Sequence, residues 1–157
     1  MQLVAYQPDI PQNLGSLIRL SACLSAPLHI IEPCGFLFDE KRVRRVAMDY
    51  FDEAQINRHV SWQAFEAYRL DLAQGGAHSR LLLLSTHASE DYTDFAYQRG
   101  DMLLLGRESA GVPQQVHDSA DARLRITMNP KTRSLNVVLA ASMVLGEAIR
   151  QTKGMLC

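Results

Sequence analysis

Five short apolar runs punctuate the chain: Leu3 to Tyr6, Leu28 to Ile31, Leu81 to Leu84, Met102 to Leu105 and Leu124 to Ile126. Runs such as LLLL and MLLL show no polar alternation, which suits strands covered on both faces, as in a parallel sheet. Helix-length amphipathic segments lie between them. Leu14, Leu17, Ile18, Ser21, Ala22 and Ser25 recur at helical spacing after Pro11 and Asn13, which serve as start signals. Ser61 to Ala73 begins on a capping serine and sets Trp62, Phe65 and Leu72 near helical spacing. Pro113 opens a further helix, and Gly75-Gly76 marks a turn before the LLLL run. The alternation predicts an α/β fold, a parallel sheet flanked by helices. The last helix, from about Ser134 to Gln151, contains VVLAASMVLGEAI and is apolar nearly all round. Such a helix needs cover on more than one side. The cover comes either from packing wholly within its own domain or from a second subunit, and a homodimer is expected.

Polar residues collect at three strand-to-helix junctions, where ligands of open α/β sheets usually sit. In the first, Asn13, Ser16 and Arg19 lie three apart and form one polar edge of a helix. In the second, the Met102–Leu105 run leads straight into Gly106-Arg107-Glu108. A glycine there permits close backbone approach to a ligand or a φ that other residues avoid, and Glu108 either favours the start of a following helix or serves the site. In the third, a polar loop, Met128 to Asn136, enters the most apolar helix of the chain. Ser134 is a natural cap for it. Asn136 is a costly residue at the head of so apolar a helix, and its capacity to donate and accept suits a site role.

Composition narrows the field only slightly. Hydrophobic residues make up 47% and charged residues 21% of 157, as in an ordinary globular protein, and a single domain over 1–157 is expected. A net charge of -1 gives no global case for a polyanion partner. One local cluster stands out, either a solvated helix face or a polyanion site: Lys41, Arg42, Arg44 and Arg45, with Arg58 beyond, follow a loop carrying exposed-looking Phe36 and Phe38. That basic run suits phosphate contacts. Cys23, Cys34 and Cys157 are odd in number and lack metal spacing, consistent with reduced thiols. No signal peptide or membrane-length apolar run is present, so a cytoplasmic location is expected. The histidines show no metal spacing and no metal is expected. GxGxxG, phosphate-loop and GxSxG motifs are absent from the sequence.

Assembled, the junctions resemble the SPOUT class of RNA methyltransferases, and within it the small tRNA 2′-O-methyltransferases of the anticodon wobble nucleotide. The motifs are N-x-G-x-x-x-R at Asn13, Gly15 and Arg19; G-x-E-x-x-G-x-P at Gly106, Glu108, Gly111 and Pro113; and I-x-M-x-P…S-x-N at Ile126, Met128, Pro130, Ser134 and Asn136. The stretch HIIEPCGFLFDEKRVRRVAMDY is also similar to that subgroup, whereas Ala110 and Gly146 depart from many of its members.

The resemblance implies a C-terminal trefoil knot, S-adenosylmethionine as cofactor, and a dimer with its active site at the subunit interface. It implies that Leu84, Gly106, Ile126, Met128, Ser134 and Leu135 hold the cofactor. Catalysis falls to Arg19, as orienter of ribose and phosphate, with Asn13, Glu108, Ser134 and Asn136 positioning the reacting groups. Lys41, Arg42, Arg44 and Arg45 would bind the anticodon stem-loop of tRNA, a leucine tRNA by the family's habit. Methylation at another tRNA position or on ribosomal RNA, a non-catalytic RNA-binding dimer, and a flavodoxin-like nucleotide-binding module are the alternatives.

Overall fold

The computed structural model describes residues 1–77 and 79–152, apart from the side chains of Glu40 and Arg42. Seven strands and five α-helices follow in the order β1 (Gln2–Tyr6), α1 (Pro11–Leu24), β2 (Leu28–Ile31), α2 (Glu40–Ala47), β3 (Ile56–His59), α3 (Trp62–Gln74), β4 (Leu81–Leu84), β5 (Glu90–Asp91), β6 (Met102–Leu105), α4 (Gln114–Asp118), β7 (Ala122–Arg125) and α5 (Val137–Gln151), with a 3-10 turn at Met48–Phe51. The strands form one sheet in the order β3-β2-β1-β6-β4-β7-β5. Every pairing is parallel. The expected sheet class is therefore observed.

Strand alternation sends side chains to two separate cores. Leu3, Ala5, Leu28, Ile30, Leu82, Leu103 and Leu105 pack with residues of α1, α2 and α5 on one face. Val4, Tyr6, Ile31, Leu81, Leu83, Met102 and Leu104 pack with Trp62, Phe65 and Val116 of α3 and α4 on the other. Burial on both faces is the reason β4 and β6 read as unbroken apolar runs, each buried leucine contributing about 1.5–3 kcal/mol.

Differences from the sequence reading have local causes. β3, with sequence INRH, is an edge strand with Arg58 exposed, so it lacks an apolar run. β5 is only two residues long. The strand expected at Leu124–Ile126 starts earlier, at Ala122, and ends at Arg125. Helix α5 begins at Val137 rather than Ser134, because Asn136 is its cap: Asn136 Oδ1 accepts from Val138 N at 2.9 Å. Phe36 and Phe38 are half-buried against the core, and Leu37 between them is the exposed residue, at 80%. Ser61 caps α3 as expected, accepting from Ala64 N at 3.1 Å.

Two contacts hold the frame around the site. At Gly15 of α1, a Cβ would collide with Val46, so the absent side chain lets α2 lie directly on α1. At the amino ends of β4 and β6, Asp101 is fully buried and both its oxygens accept from Arg80, at 2.9 and 2.8 Å. Breaking a buried pair of this kind typically costs 3–5 kcal/mol. The fastening lies at the opposite end of the sheet from the cavity described next. Among the described residues, no helix is long and apolar enough to cross a membrane.

Candidate active site

The carboxyl ends of β4, β6 and β7 open into a cavity of about 810 Å³. Leu84 and Leu105 form its floor, Ile126, Met128, Leu135 and Val137 its apolar walls, and Asn13, Glu108, Ser134 and Asn136 its polar side. All six residues expected to hold the cofactor therefore line one space. Its volume lies within the range of small-molecule sites, and its mixture of apolar walls with strand-end backbone is what such sites use. A flat nucleoside ring fits between apolar side chains of this kind, with backbone groups available to its polar edge. The donor set thus suits S-adenosylmethionine.

Three cavity-lining residues from distant parts of the chain are joined to one another. Asn13 Nδ2 donates to Glu108 Oε1 at 2.9 Å, and Asn136 Nδ2 donates to Asn13 Oδ1 at 3.0 Å. The second Glu108 oxygen accepts from the Asp9 backbone N–H at 2.8 Å. The order of donors follows from chemistry. A carboxylate only accepts, so Asn13 must turn its NH₂ toward Glu108 and its carbonyl toward Asn136. Asn136 must then offer NH₂ to Asn13, which leaves its oxygen for the α5 cap. The costly-looking asparagine thus does two structural tasks, and Glu108 spends both oxygens as an acceptor.

Sequence reasoning missed Asp9 and Arg107. Asp9 Oδ1 accepts from Arg107 Nη2 at 2.9 Å, while its Oδ2 accepts from Ser109 N at 3.1 Å and from the Ser109 hydroxyl. The Ser109 hydroxyl and the Arg107 guanidinium hold the Asp9 carboxyl below its ordinary pKa. The clasp ties the loop after β1 to the loop after β6 and so sets where Glu108 meets Asn13. Its only signal in the sequence is an acid and a base at the two junctions. Gly106 needs its missing side chain for this loop: a Cβ there would lie 2.8 Å from the Gly111 backbone, and Gly111 itself has φ +65°. The close approach expected at Gly106 is thus made by the chain's own loop.

Arg19 does not line the cavity. Each three-residue step along a helix advances about 300°, so two steps leave Arg19 roughly 120° round from Asn13. The expected single polar edge therefore splits, with Asn13 facing the cavity and Ser16 and Arg19 exposed on α1. Lys41, Arg44 and Arg45 are exposed on α2, and the Arg42 side chain lies outside the described residues. Arg44 pairs with Asp52 at 2.6 Å and stacks on Phe51. Cys23 and Cys34 are free thiols, and burial, with Glu32 nearby, pushes Cys34 up to about 11; Cys157 lies outside the described residues. Among the described residues, no cluster of His, Cys, Asp and Glu could hold a metal ion.

Comparison with known proteins now decides the family. Residues 1–146 match the SpoU rRNA Methylase family. The chain belongs to that family. It is 54% identical to a tRNA (cytidine(34)-2'-O)-methyltransferase of Beijerinckia indica over 149 residues, 95% of this chain and 90% of that protein. It is 39% identical to the tRNA (cytidine(34)-2'-O)-methyltransferase of Escherichia coli K12 over 153 residues, covering 96% and 93% of the two chains. A structure solved for the 2-OH methylation of C/U34 on tRNA superposes with a TM-score of 0.87 at 36% identity, covering 98% of this chain and 96% of that one. The SpoU methyltransferase AviRb of Streptomyces viridochromogenes, in complex with the cofactor AdoMet, gives a TM-score of 0.88 at 27% identity, over 98% of this chain and 60% of that one.

Proposed function

We infer that this SpoU-family chain is a tRNA (cytidine-34) 2′-O-methyltransferase that uses S-adenosylmethionine. The observation that carries the reading is the meeting of Asn13, Glu108 and Asn136, one from each of three sequence motifs, in the lining of a single cavity. Relatives 54% and 39% identical over nearly the whole chain bear the same activity in their names.

When bound, S-adenosylmethionine supplies a methyl group already activated by its sulfonium centre. Leu84, Gly106, Ile126, Met128, Ser134 and Leu135, which line the cavity, would hold it. The remaining work falls to the chain: the ribose 2′-hydroxyl must be oriented, shielded from water and relieved of its proton. Glu108 is not the base in this reading, since both its oxygens are committed to Asn13 and Asp9. It fixes Asn13, and Asn136 fixes the rim from the other side. Arg19 orients the ribose and its phosphate with a charged, multi-donor group.

Leu135, Leu139 and Met143 are 39%, 59% and 40% exposed at four-residue spacing, an apolar stripe beside the cavity. α5 also packs against α1, which carries Arg19. A second copy seated on this face covers the stripe and brings its own Arg19 toward the cavity, so we take the enzyme to be a homodimer with shared sites. Late insertion of β6 between β1 and β4, with α5 returning to the α1 face, supports a C-terminal trefoil knot. In this account residues 1–157 form one methyltransferase domain working in the cytoplasm. The exposed Lys41 and Arg45, with Arg42 and Arg44, contact the backbone of an anticodon stem-loop, that of a leucine tRNA.

The test is transfer of labelled methyl from S-adenosylmethionine to bulk tRNA lacking wobble 2′-O-methylation, with ribosomal RNA in parallel and the product nucleotide mapped. Label on position 34 is expected. Label only on ribosomal RNA or on another tRNA position overturns the substrate assignment.

A further inference from the structure

Arg19 is held by a ring, unlike the arginines that pair with acids. Arg44, Arg58, Arg80, Arg107 and Arg150 each pair with a carboxylate. Among the described residues Arg19 has no carboxylate partner; its guanidinium carbon lies 4.8 Å from the centre of the Tyr50 ring. A ring face attracts a cation while leaving the N–H edge of the guanidinium unused, whereas a carboxylate would occupy that edge. The stack therefore fixes the direction of Arg19 and keeps its donors available.

The backbone that delivers Tyr50 is unusual. Tyr50 belongs to the 3-10 turn Met48–Phe51, which packs against both α1 and α2. The turn opens at Met48 with φ +54° and ψ -141°, a conformation that L-residues rarely adopt. Consecutive aromatic residues then serve different helices: Tyr50 takes Arg19 of α1 and Phe51 takes Arg44 of α2.

We propose that Tyr50 is a positioning residue for methyl transfer, holding Arg19 of α1 in the orientation that meets the substrate ribose and phosphate. The proposal rests on the role given to Arg19 above. It requires an aromatic face at position 50, not a hydroxyl.

The experiment compares Tyr50→Phe, Tyr50→Leu, Arg19→Ala and the double variant Tyr50→Leu/Arg19→Ala, all as full chains. Single-turnover rate, KM for tRNA, cofactor affinity and thermal melting are measured for each. Nitrogen-15 spectra of the Arg19 side chain are recorded without RNA. Tyr50→Phe should keep the rate within about twofold and retain the ring-current shift of the Arg19 side chain. Tyr50→Leu should lose that shift and at least tenfold in rate, with cofactor affinity and melting close to wild type. In the Arg19→Ala background, Tyr50→Leu should cost nothing more. A Tyr50→Leu variant with wild-type rate overturns the proposal, as does an undiminished further loss in the Arg19→Ala background. Full activity in Arg19→Ala overturns it through the role of Arg19 itself. Failure of the wild-type chain to methylate tRNA is a separate result that removes the proposed function, and in that case the spectra still report whether Tyr50 orients Arg19.

Discussion

Glu108 Oε1 accepts a hydrogen bond from Asn13 Nδ2 at 2.9 Å across 95 residues of sequence. With Asp9 N–H on the other oxygen, the carboxylate faces a donor on each side. Glutamine cannot reproduce this, because its NH₂ must point at one of the two donors. An unsatisfied group of this type costs about 1–3 kcal/mol. Glu108→Gln is therefore predicted to lower the single-turnover rate by roughly 10- to 100-fold through misplacement of Asn13, with cofactor still bound. Quench-flow transfer assays check the rate. A wild-type rate in Glu108→Gln would show that the rim geometry does not matter to the reaction.

Asn136 is predicted to separate folding from activity. Aspartate caps a helix about as well as asparagine, so Asn136→Asp retains the bonds to Val138 and Leu139 backbone N–H. Its second oxygen then faces Asn13 Oδ1, acceptor against acceptor, where the present bond is 3.0 Å. The expected outcome is stability within about 1 kcal/mol of wild type and a clear loss of methyl transfer. Denaturant unfolding and transfer assays on one preparation measure both. Equal loss of both would mean that Asn136 serves the helix alone.

How much of this was legible follows from what each residue faces. β4 and β6 could be read because every side chain but that of Leu84 is buried, whereas β3 could not, since an edge strand carrying Asn57 and Arg58 has no apolar run. The motif residues Asn13, Glu108 and Asn136 stood out at strand ends. Their mutual bonds did not, because they join positions 95 and 123 residues apart. Asn136 as cap could have been read from its place before a run of apolar residues, in preference to Ser134. The separation of Arg19 from the cavity follows from helical geometry alone. The clasp of Asp9 on Arg107 and Ser109 depended on loop packing that no spacing reveals.

Acid should weaken the fold before it affects most carboxylates. His29 Nε2 lies 2.6 Å from Gln2 Oε1, and its Nδ1 lies 2.9 Å from His59 Nε2. The glutamine oxygen accepts, so His29 donates from Nε2 and receives the His59 proton at Nδ1. Burial, and then the charge of His59, push His29 down to about 4; burial also lowers His59. The unfolded chain binds these protons near pH 6.5, while the folded chain does not. Stability is thus complete above about 6.5 and falls as pH drops from there toward about 4, where folded His29 itself titrates. Denaturant midpoints taken between pH 8 and pH 5 should be level at first and then decline. A midpoint unchanged from pH 7 to pH 5 would contradict the neutral, buried pair.

The central claim concerns one oxygen atom. Two versions of a leucine tRNA transcript, one with cytidine and one with 2′-deoxycytidine at position 34, should be offered to the enzyme with labelled S-adenosylmethionine. The account predicts stoichiometric label on the first, mapped to the wobble ribose, and none on the second. Equal label on both would place the methyl group elsewhere and contradict the assignment.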